Sequence, residues 1–161
     1  MNKKTILLSF FAALLFSINA KAQNDVIRIS PCEKESMLNQ ADSLKKLYIS
    51  GGFMVLREAM VTMESEYELP VIIPLTQGTW YQVVFIGDIR SKLYEVRMYD
   101  YDEKQVVYKK NQWDDADGNI ITYSYIPTVS EFHMIKPVQV NRVDKKNLCG
   151  YFMLLKKIPT Q

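Results

Sequence analysis

From Ser30 onward the chain carries two hydrophobic periods in succession. Met37, Ala41, Leu44 and Tyr48 recur at helical spacing, flanked by Leu38 and Leu47. Ser30-Pro31-Cys32-Glu33 opens this stretch as a capping box with proline at the first helical position, and Gly51-Gly52 closes it. The pattern predicts one amphipathic helix over residues 30–52, whose apolar stripe needs a surface to cover.

After Gly52 the period becomes two. Arg57–Leu69 sets Ala59, Val61, Met63, Tyr67 and Leu69 on one face and Glu58, Met60, Thr62, Glu64, Glu66 and Glu68 on the other, the pattern of a long half-exposed strand. Pro70 and Pro74 bracket Val71-Ile72-Ile73, which suits a sheet edge. Further strands are predicted at Thr79–Ile86, Leu93–Tyr99, Gln105–Lys110, Ile120–Ile126, Glu131–Val140 and Leu148–Lys156, with turn residues between them. The expected fold is mainly β: an antiparallel, jelly-roll-like β-sandwich of about seven or eight strands over 53–161, with one N-terminal helix.

The first 22 residues read differently. Lys3 and Lys4, an apolar run from Ile6 to Ile18 and the small-x-small step Ala20-Lys21-Ala22 form a cleavable signal peptide, so cleavage is expected after Ala22. Residues 23–29 are then a short lead, and the location is periplasmic or secreted. No later apolar run is long enough to span a membrane as a helix. Removing the signal also changes the charge. The whole chain carries +2; the signal holds three lysines and no acid, so the mature chain has 17 basic and 18 acidic residues. Nucleic acid is therefore not an expected partner.

Two lengths of this sequence resemble the bacterial pre-peptidase C-terminal domain, a secreted jelly-roll-like sandwich. They are Leu75-Thr76-Gln77-Gly78-Thr79-Trp80-Tyr81, with its Gly-x-x-Tyr step, and Leu93–Tyr99-Asp100, with its terminal Tyr-Asp; Ile126-Pro127 follows before a last strand pair. The resemblance spans roughly residues 69–156 and implies a non-catalytic accessory or binding domain.

The candidate chemistry is sparse. One histidine and two cysteines cannot build a zinc site of Cys and His alone. Export favours a Cys32–Cys149 disulfide, closing a loop of more than a hundred residues. Against it, Cys32 as a helical residue would point nearly opposite the Met37/Ala41/Leu44 stripe, and two free thiols or a reactive thiol at the helix start are the alternatives. His133 has no recognisable nucleophile motif near it, which makes it a structural or surface histidine before it is a general base. Glu64, Glu66 and Glu68 read as a solvated strand face.

Asp114, Asp115, Asp117 and Asn119 cluster hard oxygen ligands in a turn and make calcium the one cofactor to consider, although the EF-hand pattern fails and Asp117-Gly118 is also a common hairpin turn. Trp113, beside Asp114 and Asp115 and with Tyr101 as a further loop aromatic, could stack on a sugar ring, or Trp113 could plug the end of the sandwich. The leading expectation is thus an exported, non-catalytic binding module for an unknown protein or glycan. A structural, envelope-associated domain pairing through an exposed edge strand, Glu58–Leu69, is the second reading. A small hydrolase using His133 is the third.

Overall fold

A computed structural model describes Cys32, residues 35–112, Asp115 and residues 118–159. The signal segment, the lead, the Ser30-Pro31 and Glu33 parts of the capping box, Trp113, Asp114 and Asp117 lie outside the described residues. Among the described residues one helix, α1 (Glu35–Ser50), is followed by β1 (Phe53–Met63), β2 (Val71–Leu75), β3 (Tyr81–Gly87), β4 (Leu93–Tyr99), β5 (Gln105–Gln112), β6 (Ile120–Tyr125), β7 (Glu131–Val140) and β8 (Leu148–Lys157).

The strands form two four-stranded sheets, ordered β1-β8-β3-β6 and β2-β7-β4-β5, with every ladder antiparallel. Pairs β1·β8, β2·β7, β3·β6 and β4·β5 are those of one long hairpin folded back over itself, which is the jelly-roll arrangement. Between the sheets lies a core built from alternate positions: Val83 and Phe85 of β3, Phe152 and Leu154 of β8, Tyr94, Val96 and Met98 of β4, Ile73 and Leu75 of β2.

A second core covers the outer face of the first sheet. There α1 packs Met37 and Ala41, with Leu44 and Tyr48 beside them, onto Val84, Ile86, Tyr151, Met153 and Leu155. This is why every residue of β3 is buried despite its alternating order: one set faces the other sheet, the next faces the helix. Polar ties fix the helix at its margins. Lys45 Nζ lies 2.6 Å from Glu58 of β1, and the Tyr151 hydroxyl donates to the same carboxylate at 2.6 Å. The Lys45 ammonium, hydrogen-bonded to Glu58, holds that carboxyl below its usual range.

Cys32 and Cys149 form the disulfide, with Cα atoms 5.4 Å apart and a sequence separation of 117. Cys32 stands outside the helix, three residues before Glu35, so the wheel argument against the bridge does not apply. Both thiols are consumed, which removes the reactive-thiol alternative.

The predicted strand Arg57–Leu69 is corrected in length and phase. β1 starts at Phe53, carries an irregularity between Val55 and Arg57, and stops at Met63. Glu64, Glu66 and Glu68 therefore share no strand face. The chain turns at Ser65-Glu66, with Glu66 at φ 67°, because Ser65 N–H donates to Lys145 O and Glu66 N–H to Gln139 O. These bonds carry the chain across to the second sheet, where Leu69 N–H donates to Pro137 O. Glu68 ends on that sheet, bonded to Lys136 at 2.9 Å and Arg97 at 2.8 Å.

Candidate functional site

Among the described residues no helix covers the outer face of the second sheet. Alternation places Ile72 and Pro74 of β2, Phe132, Met134 and Lys136 of β7, Glu95, Arg97 and Tyr99 of β4, and Tyr108 of β5 on it. Register gives these residues an order. Tyr99 pairs with Met134, two positions from Phe132, and Arg97 pairs with Tyr108. Phe132, Tyr99 and Tyr108 thus lie on one diagonal across three adjacent strands. At ordinary strand spacings the diagonal is about 17 Å from end to end, with Tyr99 near its middle. Phe132 and Tyr108 are exposed, at 57% and 47%.

Polar groups stitch this diagonal together. The Tyr108 hydroxyl donates to Glu95 Oε1 at 3.1 Å, and Arg97 Nη2 donates to Glu95 Oε2 at 2.6 Å. The other arm of Arg97 reaches Glu68, which also holds Lys136. Lys136 Nζ sits 5.1 Å from the Tyr99 ring centre, and the Arg97 guanidinium 6.0 Å from that of Tyr108. Hydrogen bonding raises the Lys136 ammonium through Glu68 and the Arg97 guanidinium through Glu95, while the Lys136 contact lowers the Glu68 carboxyl. Desolvation, then the bond to Glu95, raises the Tyr108 phenol. All these groups therefore hold their ordinary charge states near neutrality. The arrangement is a fixed array of donors and acceptors between aromatic rings.

The residues expected to act together in recognition are separated. Tyr101 is 72% exposed in the β4–β5 turn, whereas Asp115 lies beyond the other end of β5. The eight residues of that strand put about 24 Å between its ends, so no compact site includes both. Asp115 caps its own loop by accepting the Gln112 N–H at 2.5 Å. Asn119 is buried under the helix. Its Oδ1 accepts from Gln40, its Nδ2 donates to Gln40 and to Gly87 O, and it thereby docks α1 on the sheet. Trp113, Asp114 and Asp117 lie outside the described residues, and among the described residues no cluster of three His, Cys, Asp or Glu groups could hold a metal.

His133 is buried on the inner side of β7. Its Nε2 is 3.1 Å from the Tyr125 hydroxyl, and Nδ1 lies 3.4 Å from the Glu131 carbonyl. Burial raises the Tyr125 phenol, and the Glu131 carboxylate lies 3.7 Å from the same Nε2. The motif pieces noted in the sequence are turn devices at one end of the sandwich. Gly78, at φ 71°, donates its N–H to Pro127 O; the Tyr81 hydroxyl accepts from Thr76 N–H, and Asp100 accepts from Lys104 N–H.

Sequence reasoning missed a buried polar cluster at the other end. Asp88, Ser91, Tyr94, Gln139 and Asn141 are all at or below 5% exposure. Asp88 accepts from Arg90 N and Nε through Oδ1, and from Arg90 Nη2 and Cys149 N through Oδ2. Gln139 accepts from Asp88 N and the Ser91 hydroxyl and donates to Cys149 O. The Tyr94 hydroxyl donates to the carbonyls of Asp88 and Ser91; burial, then the Asp88 charge, pushes its pKa up to about 12. Among the described residues no buried side-chain polar atom lacks a partner, so this cluster is a clamp on the loops around it. The turn signal at Gly87-Asp88 was its only trace in the sequence.

No protein-family model matches the chain, and no curated protein matches it. Solved structures do match. The structure described as "CBM4 structure and function" is similar at 16% identity and a TM-score of 0.41, over 65% of this chain and 77% of that one. The Yersinia pseudotuberculosis-derived mitogen is similar at 12% identity and a TM-score of 0.40, over 65% of this chain and 87% of that one. A structure of carbohydrate-binding modules from the β-sandwich superfamily follows at 10% identity and a TM-score of 0.35, over 66% and 56%. Likeness at this level assigns no ligand to the chain.

Proposed function

We propose that this chain is an exported, non-catalytic binding module that takes a glycan on the open face of its second sheet. The observation that carries the reading is the aromatic diagonal Phe132–Tyr99–Tyr108, with hydrogen-bonding groups fixed between its rings. Aromatic faces stack on the apolar faces of sugar rings, and carboxylates, guanidinium and phenol groups pair with hydroxyls. A chain-like glycan fits a diagonal better than a compact ligand does, because the contacts are spread along about 17 Å. Export and the accessory role are supported by the signal pattern of residues 1–22, the disulfide and the motif resemblance over residues 69–156. Non-catalysis is supported by the closed hydrogen bonding of His133 and of the face itself.

A glycan array with the intact protein tests the reading. Binding that falls at least about tenfold in both Tyr108→Ala and Phe132→Ala is expected. No signal from the intact protein, or signal untouched by either substitution, overturns it. A second reading rests on β1, whose outer edge pairs with no strand among the described residues and which exposes Met54 and Leu56. If the chain works by strand addition, a proline at position 58 abolishes partner capture and Tyr108→Ala does not.

A further inference from the structure

The open face carries an anion that the sheet itself does not supply. Arg97 of β4 and Lys136 of β7 are partners across the ladder, so two cations stand side by side. Of these two, Glu95 reaches Arg97. The carboxylate that meets both is Glu68, and it comes from the β1–β2 loop. Glu66 N–H donates to Gln139 O and Leu69 N–H to Pro137 O, which lays that loop along β7 and sets Glu68 against the pair. Its Oε1 accepts from Arg97 Nη1 at 2.8 Å, and its Oε2 stands 2.9 Å from Lys136 Nζ.

These contacts separate charge from hydrogen bonding. The guanidinium and the ammonium keep N–H groups beyond those bonded to Glu68 and Glu95, and the carboxylates keep lone pairs. Spare donors and spare acceptors therefore lie together, which suits a sugar hydroxyl, since each one both donates and accepts. The charge of the pair is already answered by Glu68. Lys110 stands at the edge of the sheet, across the ladder from Glu95 and two strands from Lys136. The pair itself flanks the middle ring of the aromatic diagonal, with Lys136 Nζ 5.1 Å from the centre of Tyr99.

We propose, resting on the glycan reading, that the face takes uncharged glycans and that Glu68 is the residue that excludes acidic ones. A ligand carboxylate drawn to Arg97 and Lys136 meets Glu68 in the place it would fill. Like charges brought together there repel, and driving Glu68 off the pair strips its own charge of partners. An uncharged sugar displaces nothing. Selectivity of this kind comes from a repulsive group placed against the wrong ligand, not from an extra contact to the right one.

The test uses gluco- and galacto-oligosaccharides on the glycan array, each beside the same chain with its primary alcohols oxidised to carboxylates. The native protein is expected to prefer the uncharged member by at least about tenfold, with little change in that binding between low and high salt. Glu68→Gln is expected to strengthen binding of the oxidised chains about fivefold or more, a gain that misfolding cannot produce, and high salt should remove it. Adding Lys136→Met to Glu68→Gln should take the gain away. Oxidised chains bound by the native protein as tightly as uncharged ones overturn the exclusion and leave the glycan reading standing. No gain in Glu68→Gln, or a gain that survives Lys136→Met, overturns the role of Glu68. If neither member of any pair is bound, the proposal falls whatever else the array shows, and if no glycan is bound at all the reading beneath it falls as well.

Discussion

The two sheets have similar inner faces and opposite outer ones. The first is closed: α1 covers it, the Cys32–Cys149 bridge pins the segment before the helix to β8, and Gln40 and Asn119 lock the helix across to the β5–β6 loop. The second is open, and its exposed positions are joined by ion pairs instead of being buried. Apolar burial at roughly 25 cal/mol per Å² stabilises, whereas exposed ion pairs contribute little. The closed sheet is therefore where stability resides, and the open one is where a ligand can be met without loss of stability.

Substitutions can break this contrast. The largest effect is expected from opening the disulfide. A Cys32→Ser, Cys149→Ser double variant should lose about 4–5 kcal/mol in urea unfolding, and reductant should give the same loss in the native protein. Next is Asp88→Ala, which leaves the buried Cys149 N–H without its carboxylate and Arg90 without its inner partner. It should cost about 3 kcal/mol. Gln40→Ala, which strips a reciprocal pair from the buried Asn119 amide, should cost about 1 kcal/mol by the same measurement. Arg97→Met on the open sheet should move stability by less than about 1 kcal/mol while weakening glycan binding. A stability loss on the open sheet as large as on the closed one would erase the distinction.

The smallest effect is a pH dependence. Lys136 and Arg97 hold the Glu68 carboxyl below its unfolded value, so the pair stabilises above that value, near pH 4.5, and its contribution fades as pH falls through the lowered folded value. Glu68→Gln should remove a small part of the acid-side slope and change nothing at neutrality. A slope that Glu68→Gln leaves intact assigns it to other carboxylates.

Much of this was legible in the chain. Period-two runs gave β4 and β7 their full bounds, Leu93–Tyr99 and Glu131–Val140, and Pro70 and Pro74 marked β2 as an edge. The helix stripe Met37, Ala41, Leu44 and Tyr48 is the one that packs. What was not legible depends on distant contacts. The end of β1 is set by bonds from Ser65 and Glu66 to Lys145 and Gln139, which no local alternation records. Asp88, Gln139 and Asn141 look like ordinary turn and strand-end residues, and only the fold buries them together. Tyr101 and Asp115 are separated because an eight-residue strand runs between their loops, a distance that sequence spacing alone does not give. The open face itself needed register: Phe132, Tyr99 and Tyr108 are far apart in sequence and adjacent only across ladders.

The pairing of β1 with β8 also governs the order in which the molecule can be made. Cys32 leaves the ribosome early, and the half-cystine it needs follows 117 residues later. Until then the closed sheet lacks its second strand, since among the described residues β1 has no other strand neighbour. So non-local a closure belongs to folds that mature in about milliseconds to seconds after the chain is whole. With only two cysteines in the chain, no wrong intramolecular bridge can form during that wait. The oxidising step thus acts as a seal on an assembled sandwich, and an enzyme that reshuffles bridges within the chain has nothing to correct.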